Sequence, residues 1–227
     1  MSYGVYFKNK SDVVVLDSEY ARLSVIASGR YAPTQESNMG STTYFGKVVT
    51  SAEPPLVFVR PDTVGAVAGL CLMRLLGGPG AWTGFYVRAW SNKTAQPNGR
   101  YFVAAFTAQP TAQWGVRILD GTSRLLFDSG TPSALFTRAF QNWTYVRSER
   151  GPTGAWSNYY QVPFDFPQNE FLMINSFGMN LLSGGVVGRD LAVWWDFPGR
   201  NLYAITQAFV NPYDFHLPAV FAKPNAQ

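Results

Sequence analysis

Sulfur and imidazole chemistry are almost missing from this chain. It has one cysteine, Cys71, and one histidine, His216. A single cysteine excludes an internal disulfide, and the pair together excludes a Cys/His zinc site. Any Ser-His-acid or Cys-His mechanism would have to use His216, because the base must lie within hydrogen-bond reach of its nucleophile. That residue lies in Asn211-Pro212-Tyr213-Asp214-Phe215-His216-Leu217-Pro218, a proline-bounded segment that reads as loop or packing. Charge is scarce as well: 14% of residues are Asp, Glu, Lys or Arg, against roughly 25% in an ordinary globular chain. Intrinsic disorder and charged tails are thereby excluded.

Long apolar runs are also missing. The most apolar stretch, Val64 to Leu76, covers 13 residues and contains Arg74, where a membrane-spanning helix needs about 20; no membrane span is expected. The opening Met1-Ser2-Tyr3-Gly4 has neither the basic nor the apolar region of a signal peptide, so ordinary export is not expected. Basic residues are scattered singly, which argues against nucleic acid as a partner. No Gly-x-Ser-x-Gly elbow or phosphate loop occurs, and Gly184-Gly185-Val186-Val187-Gly188 reads as a turn. No cofactor, metal or catalytic constellation is therefore expected.

What is present is aromatic and turn-rich. The 227 residues are 47% hydrophobic and 16% aromatic, with 21 Gly and 15 Pro, a mixture that favours strands and tight turns. Apolar runs recur every 8 to 15 residues with Gly, Pro, Asn and Ser between them, the spacing of a sandwich or jelly roll. One helix is an open alternative, capped by Asp62-Thr63, running to Leu76 and stopped by Gly77-Gly78. The net charge of +4 belongs wholly to the first half: residues 1 to 111 carry 10 basic and 6 acidic side chains, residues 112 to 227 carry 8 and 8.

The chain also repeats itself. Tyr3-Gly4-Val5-Tyr6-Phe7, a polar break and Val13-Val14-Val15-Leu16-Asp17-Ser18 return 111 residues later as Trp114-Gly115-Val116-Arg117-Ile118, Asp120-Gly121-Thr122 and Arg124-Leu125-Leu126-Phe127-Asp128-Ser129. Each copy reads as a β-hairpin, with Gly4, Asp17, Gly115 and Asp128 as structural motif residues. Asp17 and Asp128 read as strand-end residues that bond the backbone rather than as recurring catalytic acids. Leu56-Val57-Phe58-Val59 corresponds loosely to Phe171-Leu172-Met173-Ile174, and Asn98-Gly99-Arg100 to Pro198-Gly199-Arg200. The expectation is an all-β protein of two tandem, related, jelly-roll-like β-sandwich domains, 1–111 and 112–227, with residues 62 to 80 as the excess of the first. Gly80-Ala81-Trp82-Thr83-Gly84-Phe85-Tyr86 against Gly154-Ala155-Trp156-Ser157-Asn158-Tyr159-Tyr160 is a second similarity, at a conflicting offset of 74.

Trp82, with Gly77-Gly78-Pro79-Gly80-Ala81, and Trp156, Tyr159 and Tyr160, with Gly151-Pro152-Thr153-Gly154, read as aromatics set in flexible loops of small residues, a combination favoured at binding surfaces. They are the candidate binding residues, for a glycan or a protein; the competing reading has these rings closing the ends of the core. On a strand, Trp194 and Trp195 must point to opposite faces. Paired carboxylates for glycan hydrolysis find support only around Asp17 and Glu19.

The doubled opening, with Leu23-Ser24-Val25 after its first copy, resembles a pattern in small structural proteins of the tail tip, baseplate or fibre region of long-tailed bacteriophages. The resemblance covers about 25 residues in each copy. It implies a non-catalytic virion component assembled in the host cytoplasm, with other phage tail proteins as partners, a homo-oligomer with a trimer favoured, and a host-surface glycan or protein as an outer partner. A carbohydrate-binding β-sandwich module is the alternative.

Overall fold

The computed structural model describes residues 6–8, 10–12, 14–17, 21–32, 39–90, 98–111, 113–152, 154–178, 191–208 and 215–225. Among them every regular element is a strand apart from one short 3-10 turn, Asn175–Gly178. The first half supplies β1 (Tyr6–Lys8), β2 (Val14–Asp17), β3 (Leu23–Tyr31), β4 (Gly40–Val49), β5 (Leu56–Pro61), β6 (Val67–Gly78), β7 (Ala81–Ala89) and β8 (Gly99–Phe106). The second supplies β9 (Arg117–Leu119), β10 (Leu125–Asp128), β11 (Ser133–Phe140), β12 (Thr144–Arg150), β13 (Trp156–Pro163), β14 (Phe171–Met173), β15 (Leu191–Asp196), β16 (Asn201–Ala208) and β17 (Ala219–Asn225).

Two small hairpins, β1-β2 and β9-β10, stand apart in strand pairing from two large antiparallel sheets. One sheet closes into a six-stranded barrel in the order β11-β17-β14-β5-β8-β3; the other is open and seven-stranded, β12-β13-β16-β15-β6-β7-β4. Alternate residues of the barrel strands serve two cores, because strand side chains alternate between faces. Val57, Val59, Tyr101, Val103, Leu172 and Phe221 meet Phe85, Val87, Leu70, Val193, Trp195 and Leu202 of the open sheet. Their neighbours Phe58, Phe102, Ala104, Phe171 and Ala222 form a second cluster, in which the Phe58 and Phe102 rings stack with centroids 4.6 Å apart.

The all-β, sandwich-like architecture expected from composition is what the structure shows. Its strand order also matches half for half. In the barrel, β5-β8-β3 is mirrored by β14-β17-β11; in the open sheet, β6-β7-β4 is mirrored by β15-β16-β13, with β12 added outside. The two hairpins share a register at the 111-residue spacing: Tyr6 opposes Asp17 as Arg117 opposes Asp128, and Lys8 opposes Val14 as Leu119 opposes Leu125. At the junction of the halves, Val59 opposes Leu172 and Phe58 opposes Met173, while the Ile174 amide donates to the Val57 carbonyl at 2.9 Å. With Leu56–Val59 matched to Phe171–Ile174, these bonds are symmetric about the Phe58–Met173 pair.

The two halves are not separated at 111/112. β5 pairs with β14 and β6 with β15, so both sheets run through, and one buried cluster holds residues from Tyr31 to Phe221. A three-stranded sheet ends in unpaired amides and carbonyls, and here each half satisfies the other's.

Three local expectations are corrected. Residues 62–80, read as excess or as a helix, contain β6, a central strand; from Ala68 to Cys71 it is covered on both faces, with Leu70 in the main core and Cys71 in the cluster opposite, and beyond them Met73 returns to the core while Leu72 is exposed. The register shifts between Cys71 and Arg74, where Leu72 takes φ +49° at a bulge. Gly77-Gly78 does not stop a helix but turns β6 into β7: Gly77 has φ +99°, and a Cβ there would collide with the Ala81 carbonyl. The Gly-Arg match at 99 and 199 aligns β8 with β16, whereas sheet order makes β17 the counterpart of β8. The similarity of Gly80–Tyr86 to Gly154–Tyr160 likewise joins strands, β7 and β13, that are not counterparts; both simply follow a glycine turn.

Candidate functional site

The four aromatic candidates lie on strands rather than in loops, because the glycine turns end before them, and they separate. Trp82 lies on β7, half-buried against the main core, and its indole Nε1 donates to the Ser51 carbonyl at 3.1 Å. Tyr160 is fully buried on β13, its ring stacked on Phe215 at 4.8 Å. Trp156 is half-buried at the start of β13, with the Arg150 guanidinium 5.9 Å from its ring centre. Tyr159, one residue before Tyr160, points to the opposite face of the open sheet.

On that face Tyr159 joins residues that sequence reading did not single out together. Trp90, at the end of β7, and Trp194 on β15 lie 5.8 Å apart; Trp194 lies 5.7 Å from Tyr203 on β16 and 6.2 Å from Tyr159. Cys71, Ala192 and Ile205 fill the gaps beneath. The sequence signal for this cluster was the Trp194-Trp195 dipeptide. Trp195 faces the main core and Trp194 the outer face, where Gly69 opposes it on β6 and the Trp90 ring packs against it from beyond that strand. Trp194 Nε1 is buried with no hydrogen-bond partner among the described residues.

The rim of the cluster is charged. The Arg147 guanidinium lies 4.2 Å from the Tyr159 ring centre, a cation–π arrangement, and its Nε donates to Glu149 Oε1 at 2.6 Å. The Tyr159 hydroxyl donates to Glu149 Oε2 at 3.1 Å. The bond from Arg147 holds the Glu149 carboxyl below its usual range. Burial, reinforced by the Glu149 charge, pushes the Tyr159 phenol up to about 12. Tyr159 itself is buried and Trp90, Trp194 and Tyr203 are half-buried, so the aromatic surface left to solvent belongs to those three rings, with one anion and one cation, Glu149 and Arg147, at its edge.

A second surface is apolar. Between β3, β4 and β8 runs a groove of about 860 Å³, lined by Leu23, Ile26, Val48, Leu56 and Phe106, with Arg124 of the β9-β10 hairpin at its margin. Val48 and Phe106 are 55% and 67% exposed.

The repeat-motif residues are structural where they are described. Gly4 lies outside the described residues, and Asp17 is placed on β2 by its backbone alone. Gly115 has φ +146° ahead of β9. Asp128 is buried and accepts bonds from Arg117 Nε at 2.8 Å, the Gly130 amide at 2.9 Å and the Thr111 hydroxyl at 3.2 Å, a strand-end acid bonding the backbone. His216 is exposed between buried Phe215 and Leu217. Among the described residues no group of three His, Cys, Asp or Glu side chains is placed to hold a metal, and no helix is long and apolar enough to cross a membrane. No protein-family model, curated protein or solved structure matches this chain.

Proposed function

We propose that this is a non-catalytic structural and attachment protein, of the kind built into a bacteriophage tail tip or baseplate, working as a homo-oligomer among other virion proteins. The tail setting rests on the resemblance of the doubled opening hairpins. The observation that carries the structural reading is the apolar groove with Val48 and Phe106 at its surface. In a chain with so few charges, large side chains left in water are an aggregation liability unless a neighbouring subunit covers them. Light scattering on the purified chain is expected to show a trimer or larger ring, dissociated by Phe106→Asp. A clean monomer at micromolar concentration would overturn the structural reading, and absence of the polypeptide from purified particles would overturn the virion setting.

The alternative, a carbohydrate-binding module, is favoured by the outer aromatic face. A glycan array probed with the parent chain and with Trp194→Ala tests it: signal lost in the variant would support a sugar platform formed by Trp90, Trp194 and Tyr203. An array blank for the parent chain would remove it.

A further inference from the structure

One strand trio carries a charge arrangement that its counterpart in the other half lacks. Arg100 of β8 is directly opposite Arg30 of β3 on one side and Arg60 of β5 on the other. Directly paired residues project from one face and neighbouring strands lie about 4.8 Å apart, so three guanidinium stems stand in a row about 10 Å long. Arg60 and Arg100 are each two residues from a ring of the Phe58–Phe102 stack, on the same side of their strands. The row thus rises beside an apolar floor. Arg30 and Arg100 are exposed and Arg60 is half-buried, leaving the row open to solvent.

Like charges placed directly across a sheet destabilise it, so packing alone gives no reason for three. One carboxylate answers them: Asp62 pairs with Arg30. Arg60 Nε reaches only the Pro167 carbonyl, at 3.3 Å, and no acidic partner of Arg100 is found among the described residues. Elsewhere Arg117, Arg124 and Arg147 each hold a carboxylate of their own, and Arg138 holds both Asp165 and Glu170. Burial, followed by the neighbouring charge of Arg100, lowers the pKa of Arg60. Behind the row the strand ends are fixed closely: a Cβ on Gly99 would collide with the Arg60 carbonyl and the Tyr31 hydroxyl.

We propose that Arg30, Arg60 and Arg100 form a binding site for a phosphate monoester. Three guanidiniums against one carboxylate leave a surplus of two positive charges, which matches the dianion. One guanidinium fork satisfies a carboxylate, whereas the three terminal oxygens of a phosphate engage adjacent forks at once. The same chemistry occurs on soluble sugar phosphates and on lipid headgroups. The site is independent of the groove and of the aromatic face.

Titration of the full chain with inorganic phosphate and with a hexose 6-phosphate, at ionic strength matched by sodium chloride, tests the assignment. Both probes are expected to bind, and Arg100→Gln is expected to weaken them at least tenfold. In phosphate-free buffer the same variant should melt no lower than the parent, because it removes repulsion from the middle of the row; a merely structural arginine would do the reverse. Arg150→Gln, an exposed arginine outside the row, should leave affinity unchanged. Vesicles of phosphatidylcholine with and without phosphatidic acid separate the sources. Retention that requires phosphatidic acid and Arg100 places the phosphate on a lipid, and binding of the soluble probes without retention places it on a soluble ester. Failure of the parent to bind any probe beyond the chloride control, or equal weakening by Arg100→Gln and Arg150→Gln, would overturn the proposal.

Discussion

The first and second halves share a strand order and differ in how they spend charge. β5-β8-β3 and β14-β17-β11 occupy matching places in one barrel, yet the first trio carries Arg60, Arg100 and Arg30 in a row against a single acid, while Arg138 on β11 is held by two. The hairpins differ in the same sense. In the second, Arg117 and Asp128 form an ion pair; in the first, the same register positions hold Tyr6 and Asp17. A shared backbone arrangement therefore fixes where side chains project, and the residues placed there decide whether a site is neutralised internally or left to attract a partner.

The sharpest test of that comparison uses the two glycines of the Gly-Arg match. Gly99→Ala drives a methyl group into the backbone of β5 and is expected to cost about 3 kcal/mol in chemical denaturation. Gly199→Ala meets only the Asp196 carboxylate, which can swing away with loss of its 3.0 Å bond from the Gly199 amide, so about 1 kcal/mol is expected. Equal costs would break the distinction between a sheet interior and a turn. Next in size, Asp128→Ala leaves the donors of Arg117, Thr111 and Gly130 without their acceptor, for about 2 kcal/mol by the same measurement; a loss below about 0.5 kcal/mol would show that the hairpin does not need its acid.

Alkali probes the aromatic face of the second half. Because Tyr159 is raised in the folded chain, the folded state keeps a proton that the unfolded chain releases near pH 10. Stability is therefore fully present below pH 10 and falls as pH rises towards about 12, and Tyr159→Phe should flatten that fall in denaturation midpoints taken across the range. The smallest effect is expected at Tyr31→Phe in the first half. The Tyr31 hydroxyl is buried without a partner among the described residues, so its removal should leave stability unchanged or raise it by up to about 1 kcal/mol.

The sequence made the strand-rich architecture legible through its aromatic content and turn spacing, and the 111-residue repeat located both hairpins. It did not reveal that the halves join through β5-β14 and β6-β15, because edge pairing between distant segments leaves no periodic trace. β6 was obscured for a related reason: a strand covered on both faces loses the alternation that marks half-buried strands. The site was less legible. Tyr159 and Tyr160 look equivalent as neighbours, yet alternation sends one to the outer cluster and the other to the core. Trp90 and Trp194 are 104 residues apart in the chain and meet only across the sheet. The arginine row was hidden likewise, since Arg30, Arg60 and Arg100 each stand alone in sequence.

The bonds that balance about Phe58 and Met173 carry a consequence for the polypeptide cut between its repeats. Each fragment would expose raw ladders at β5 and β6, or at β14 and β15, and the surface that quiets them best belongs to the other fragment. Two separately made pieces should therefore find one another in solution, and a piece made alone should adopt a second copy of itself as a substitute.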